Sequence, residues 1–185
     1  MADPRHVEIV PLDVADRALL DALTVELRRV FGLACRTTPA EPLPADAYDA
    51  RRGQHHATRL LEHLLASPSP AYRRLGVVGV DLFVPILRYV FGEAMLGGRA
   101  AVVSVHRLGD PGWEGPEGRS LFLTRAVKEA IHELGHTFDL THCDDPACVM
   151  ASSLAVAHID RKQPNLCAYC KVALADALVQ GKLRG

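Results

Sequence analysis

Hydrophobic and polar positions along the chain follow two different periods, and these mark out its elements. His6–Leu12 alternates and predicts a short strand. Leu20, Leu23, Leu27, Val30 and Phe31 then recur at i, i+3, i+7, i+10 and i+11, one face of a helix. Asp13 stands where it can cap that helix, and Gly32 where it can stop it. Leu33–Thr37 predicts a second strand, and Pro39, Pro42 and Pro44 mark a loop. Gln54–Ala66 predicts a second helix that turns Leu60, Leu61, Leu64 and Leu65 to the core and ends at Ser67–Pro70. Gly76–Val84 is mostly apolar and predicts an interior strand; Ala100–His106, with Val102, Val103 and Val105, predicts another. A glycine- and proline-rich loop at Gly109–Gly118 holds the only tryptophan, Trp113. Strands alternating with helices predict an α/β or α+β sheet with helices packed on it.

A third predicted helix, Ser120–Phe138, carries the chemistry. Val127, Ile131, Leu134 and Phe138 form its buried stripe, while Arg125, Glu129, His132 and His136 share a neighbouring face. His132 and His136 are one turn apart, so both imidazoles can reach one metal ion. Glu133 projects to the side, where it can approach a metal-bound water without becoming a ligand. The run His132-Glu133-Leu134-Gly135-His136 is the HExxH pattern of zinc peptidases. A catalytic zinc takes three protein ligands and keeps an open position, and His142 is the third candidate. A straight helix would carry His142 away, so the chain must turn near residue 139. Proteins with HExxHxxGxxH place a glycine there. This chain has Asp139, which can adopt the left-handed turn at a cost of about 1 kcal/mol.

Length and charge then narrow the choices. A chain of 185 residues suits one domain and buries roughly 70% of its unfolded surface, so it needs no metal merely to hold together. Apolar runs such as Ala147–Ala151 are far shorter than the ~20 residues that span a bilayer. The charged N-terminal stretch has no apolar signal region, and the expected compartment is the cytoplasm, where thiols stay reduced. Four of the five cysteines lie between Cys143 and Cys170. Cys143 and Cys148 form one short pair and Cys167 and Cys170 a C-x-x-C knuckle, together the spacing of a closed four-thiolate structural zinc site. Cys35, far away, reads as a small apolar residue rather than a fifth ligand. Arg161, Lys162, Lys171, Lys182 and Arg184 surround the knuckle. Asp144, Asp145, Asp160 and Asp176 dilute that charge, and the net charge of −1 speaks against nucleic acid.

The joined pattern His132-Glu133-x-x-His136-x-x-Asp139-x-x-His142-Cys143, then Cys148-Val149-Met150, then Cys167-x-x-Cys170, resembles the signature of the archaemetzincins, zinc metallopeptidases of the metzincin clan. The specific likeness covers Val127–Cys170 and includes Ser153 and Asp160-x-Lys162; Phe91-Gly92-Glu93-Ala94 and the strand at Val77–Leu82 are similar but less specific. The resemblance implies a single metzincin-type α+β domain over residues 1–185, with a mixed sheet and backing helices. An N-terminal part to about residue 138 would carry the active helix. A C-terminal part from about 139 would carry a Met-turn at Met150, an apolar base beneath the histidines, and the four-cysteine zinc. By the same likeness the strand near Ala100–His106 would edge the cleft and pair with an extended peptide.

The expected function is zinc-dependent peptide hydrolysis by a monomer holding two zinc ions, one catalytic and one structural, with Glu133 as general base and a peptide or protein as substrate. Two rivals are a zinc-stabilised binding protein with a silent site, which Asp139 would explain, and a nucleic-acid-binding zinc module.

Overall fold

The computed structural model describes residues 5–110, 112 and 115–183; Trp113, Arg184 and the side chain of Lys182 lie outside the described residues. In chain order the elements are β1 (His6–Leu12), α1 (Arg17–Phe31), β2 (Ala34–Thr37), β3 (Tyr48–Asp49), β4 (Gln54–His56), α2 (Ala57–Ala66), β5 (Arg73–Val78), β6 (Leu82–Phe83), β7 (Gly92–Ala94), β8 (Ala100–Ser104), α3 (Pro116–His136), α4 (Val156–Arg161) and α5 (Ala168–Leu183). A five-stranded sheet runs in the order β2-β1-β5-β8-β7. Its first four strands are parallel, and β7 pairs antiparallel to β8 with Gly92 opposite Val103 and Ala94 opposite Ala101. β3, β4 and β6 form a second, small sheet.

The sheet is covered on both faces, which is why its central strands are almost wholly apolar. On one face Leu23, Leu27 and Phe31 of α1 and Ile131 and Leu134 of α3 pack with Val7, Ile9, Leu75, Val77 and Val103. On the other, Leu60, Leu61 and Leu64 of α2 meet Val10, Leu12, Val78 and Val102. Among the described residues no helix is long and apolar enough to cross a membrane.

Several boundaries differ from the expectation. Asp16, not Asp13, caps α1, its carboxylate accepting the Leu19 N–H at 3.0 Å. Asp13 instead turns the chain with φ 52° and accepts the Leu43 N–H. Gln54–His56 is strand rather than helix, because His55 pairs with both Tyr48 and Leu82. The run Gly76–Val84 divides at Gly79–Asp81, so that β6 leaves the main sheet to join β4. Leu65 is exposed, one residue outside the buried stripe of α2. Helix α3 starts at Pro116, a residue suited to a first turn, and ends at His136.

Candidate active site and metal centres

Helix α3 delivers two histidines to a cleft, and the turn after it delivers the third. The Asp139 N–H reaches the His136 carbonyl at 3.1 Å, and Asp139 itself has φ 62°, the left-handed backbone that the spacing demands. The chain then doubles back, so that the His142 ring stacks 5.3 Å from that of His132 and lies 5.1 Å from that of His136. The Nδ1–H of His132 donates to the Val149 carbonyl at 2.9 Å, and that of His136 to the Leu140 carbonyl at 2.7 Å. These bonds set the tautomer and leave both Nε2 atoms as bare acceptors. The two Nε2 atoms nevertheless face each other at 3.2 Å. Two lone pairs cannot satisfy one another, so the arrangement suits a cation. One ligand atom from each of the three histidines lies within 4.8 Å of the others. Burial pushes all three imidazoles below their usual range, most strongly His132, which keeps them in the neutral, ligating form.

Met150 is fully buried against the active helix. Gly135 makes room for it: a Cβ there would lie 2.6 Å from the Met150 sulfur.

Glu133 shares the cleft, a cavity of about 640 Å³ that Gly92, Glu93, Tyr89 and Ser153 also line. Burial pushes its carboxyl well above the usual range; nearby Glu129 and Glu93 push the same way, and Lys162 opposes them. Edge strand β7 passes so close that a Cβ on Gly92 would stand 2.5 Å from Glu133 Cγ and 2.5 Å from the Val102 carbonyl oxygen. The strand that edges the cleft is therefore β7. The expectation that Ala100–His106 would do so is corrected, because β8 is hydrogen-bonded on both sides, to β5 and to β7. The hydroxyl of Thr58 donates to the Glu93 carboxylate at 2.9 Å and holds it at the cleft edge. The hairpin between β7 and β8 is tied to the active helix as well, through the Gly97 N–H and the His136 carbonyl at 2.9 Å.

Three charged residues of α3, one helical turn apart or adjacent, clamp the α4 segment. Arg125 grips Asp160 through two bonds of 2.8 Å, Lys128 donates to the Ile159 carbonyl, and Glu129 pairs with Lys162 at 3.0 Å. Lys162 is 1% exposed and Glu129 2%, so this last ion pair is buried. Burial pushes the Glu129 carboxyl up, and the ammonium beside it opposes that. Gly92 and the Glu129–Lys162 pair escape a reading by spacing alone; the clues were the histidine face on which Glu129 falls and the family likeness at Phe91–Ala94 and Asp160-x-Lys162.

Cys143, Cys148, Cys167 and Cys170 converge, with one sulfur from each within 4.8 Å of the rest. The Cys143 and Cys167 sulfurs are 3.8 Å apart. A tetrahedron with zinc–sulfur bonds of about 2.3 Å has edges of about 3.8 Å, so the donors fit that ion. The Cys148 sulfur accepts the Cys167 N–H and the Cys167 sulfur the Cys170 N–H. The latter bond, above all, draws the Cys167 thiol down to about 7. Cys35 lies apart from both clusters, its thiol pushed up to about 11 by burial and donating to the Leu33 carbonyl.

The chain matches the model of peptidase family M54 over residues 71–176. It is 48% identical over 139 residues to the archaemetzincin of Methanopyrus kandleri, covering 75% of this chain and 76% of that protein. It is 36% identical over 168 residues to that of Methanocaldococcus jannaschii, covering 91% and 92%. The crystal structure of the Methanopyrus kandleri archaemetzincin superposes with a TM-score of 0.86 at 37% identity over 95% of this chain and 96% of that one. The Archaeoglobus fulgidus archaemetzincin, crystallised with malonate, gives 0.80 at 35% identity over 91% and 99%. Likeness of this extent in sequence and in fold, on a chain whose donors converge as a metal requires, means that the protein belongs to the archaemetzincins, peptidase family M54, and is a zinc metallopeptidase.

Proposed function

We propose that His132, His136 and His142 hold the catalytic zinc, that Glu133 is the general base, and that Cys143, Cys148, Cys167 and Cys170 hold a second, structural zinc. The observation that carries the reading is the pair of bare Nε2 atoms facing each other at 3.2 Å in the cleft that also holds Glu133. When bound there, zinc supplies Lewis acidity, lowering the pKa of a coordinated water towards about 7 and polarising the scissile carbonyl.

The chain's own residues do the rest. The carbonyls of Val149 and Leu140 fix the tautomer and the aim of His132 and His136, while burial keeps both rings neutral. Glu133 takes the proton of the attacking water and passes it to the leaving amine. A carboxyl pushed upward by burial suits that double duty at neutral pH. Edge strand β7 offers unpaired backbone groups to an extended peptide. The second zinc would staple the segment after about residue 139 to the active helix and so fix His142.

Cleavage of an unbiased peptide library by zinc-loaded protein tests this, with Glu133→Ala as the control. Turnover should vanish in the variant while two zinc ions per chain are retained. Loss of zinc from the variant, or cleavage that persists in it, would sink the division of roles.

A further inference from the structure

A second cavity, of about 560 Å³, opens where the parallel strands β5 and β8 end, between Gly79–Asp81, His106–Arg107 and the Arg52–His55 segment. Strand ends of this kind are where open α/β sheets usually bind ligands. Three arginines line it, Arg52, Arg88 and Arg107, against one acidic residue, Asp81, on a chain whose net charge is −1.

The charges are not spent equally. Arg107 is held by Asp81 through bonds of 2.7 and 2.6 Å, so those two cancel. Arg52 bonds only neutral acceptors, the Gln54 side chain at 3.0 Å and the carbonyls of Leu87 and Arg88 at 2.8 and 3.1 Å. Its guanidinium lies over the Phe83 ring at 4.1 Å. It is therefore ordered, and its charge has no counter-charge. The side chain of Arg88 is exposed and makes no hydrogen bond or ion pair among the described residues. Arg88 also lines the active cleft. The two cavities thus share Arg88, a residue whose charge is uncommitted.

We propose that this cavity is a subsite for an acidic side chain of the peptide substrate, with Arg88 and Arg52 as its recognition residues. The inference rests on the peptidase reading above. Arg88 lies four positions before Gly92, the strand residue against Glu133. At about 3.3 Å per extended residue, a peptide laid along β7 brings a side chain to Arg88 within about four positions of the cleaved bond. Arginine meets a carboxylate through two parallel hydrogen bonds, which a glutamine amide cannot reproduce with charge.

The test uses peptides from the library hits, remade with Glu or Gln at each of the four positions on either side of the cut. Two readouts are taken: kcat/KM with wild-type protein, and Kd by fluorescence anisotropy with zinc-loaded Glu133→Ala protein. At one position Glu should win by about tenfold in both readouts, more at low salt and less at high salt. Arg88→Gln should abolish that preference and Arg88→Glu reverse it, read as the ratio of the Glu to the Gln peptide within each variant. Equal values for the Glu and Gln peptides in wild-type protein would overturn the proposal, as would a preference that survives both Arg88 variants. Inorganic phosphate that binds the cavity without competing with the acidic peptide would also overturn it, since the site would then serve a free anion. If no peptide is cut by any protein, the peptidase reading has failed. Peptides drawn from the library by binding to zinc-loaded Glu133→Ala protein, with Glu and Gln exchanged at each position, then decide the subsite by Kd.

Discussion

Adding one methyl group at Gly92 should disable the enzyme without touching a metal ligand. A Cβ at that position lies 2.5 Å from Glu133 Cγ, 2.6 Å from its Cδ and 2.5 Å from the Val102 carbonyl oxygen, whereas ordinary contact begins at 3.4 Å. Either Glu133 or the edge strand must therefore move by about 1 Å, the difference between ordinary contact and the clash. Overpacking of this sort costs about 1–3 kcal/mol, which lowers the melting temperature by several degrees in a chain of this size. The larger effect is catalytic, because a 1 Å misplacement of a reacting group costs on the order of 100-fold in rate. Gly92→Ala should thus lose about 100-fold in kcat on a library-derived peptide, while elemental analysis still finds full zinc. Gly109→Ala is the control: it has φ below zero and only an ordinary contact with Phe122 at 4.0 Å, so its activity should match wild type. Wild-type kcat in Gly92→Ala would refute the idea that the bare strand backbone sets the position of Glu133.

Four further outcomes follow from particular contacts. Breaking the buried Glu129–Lys162 pair from one side, by Glu129→Gln or Lys162→Met, should cost about 3–5 kcal/mol in urea unfolding, and the double variant should cost less than the sum of the two. Cys143→Ser should lower zinc content from two ions per chain to one and leave the histidine site loaded; retention of both ions would remove the four-thiolate assignment. Asp139→Gly should keep its zinc and gain about 1 kcal/mol of stability, since glycine takes φ 62° without strain; zinc loss in that variant would show that the aspartate is needed for more than the turn. The bond from Arg125 holds the Asp160 carboxyl below its usual range despite partial burial. A lowered folded pKa adds stability above the unfolded value near 4 and loses it as pH falls through the folded one. The melting-temperature gap between wild type and Asp160→Asn should therefore be full at neutral pH and close below about pH 4, and a gap independent of pH would contradict this linkage.

Local spacing, read from the sequence by itself, picked out the histidines and cysteines that converge. His132 and His136 sit one turn apart on any helix, Cys167 and Cys170 face one centre in any knuckle, and Asp139 had to turn left for His142 to return. The helices α1 and α3 and the strand β1 were legible for the same reason, because a long periodic face reports its own burial. Pairing between distant segments decided the remainder. Nothing near Gln54 shows that it will join Asp49 in a strand, nor near Asp81 that Arg107 and Gln54 will hold it in the turn that splits an apolar run. The identity of the cleft edge also depended on sheet order, since β8 is as apolar as an edge-pairing strand could be and yet is covered on both sides. Gly92 and Lys162 acquire their meaning only there. One is a glycine because a carboxylate from a helix 41 residues later passes within contact of its backbone, and the other is buried because Glu129 waits 33 residues earlier. Contacts at that separation leave no period in the chain, so only the folded structure shows them.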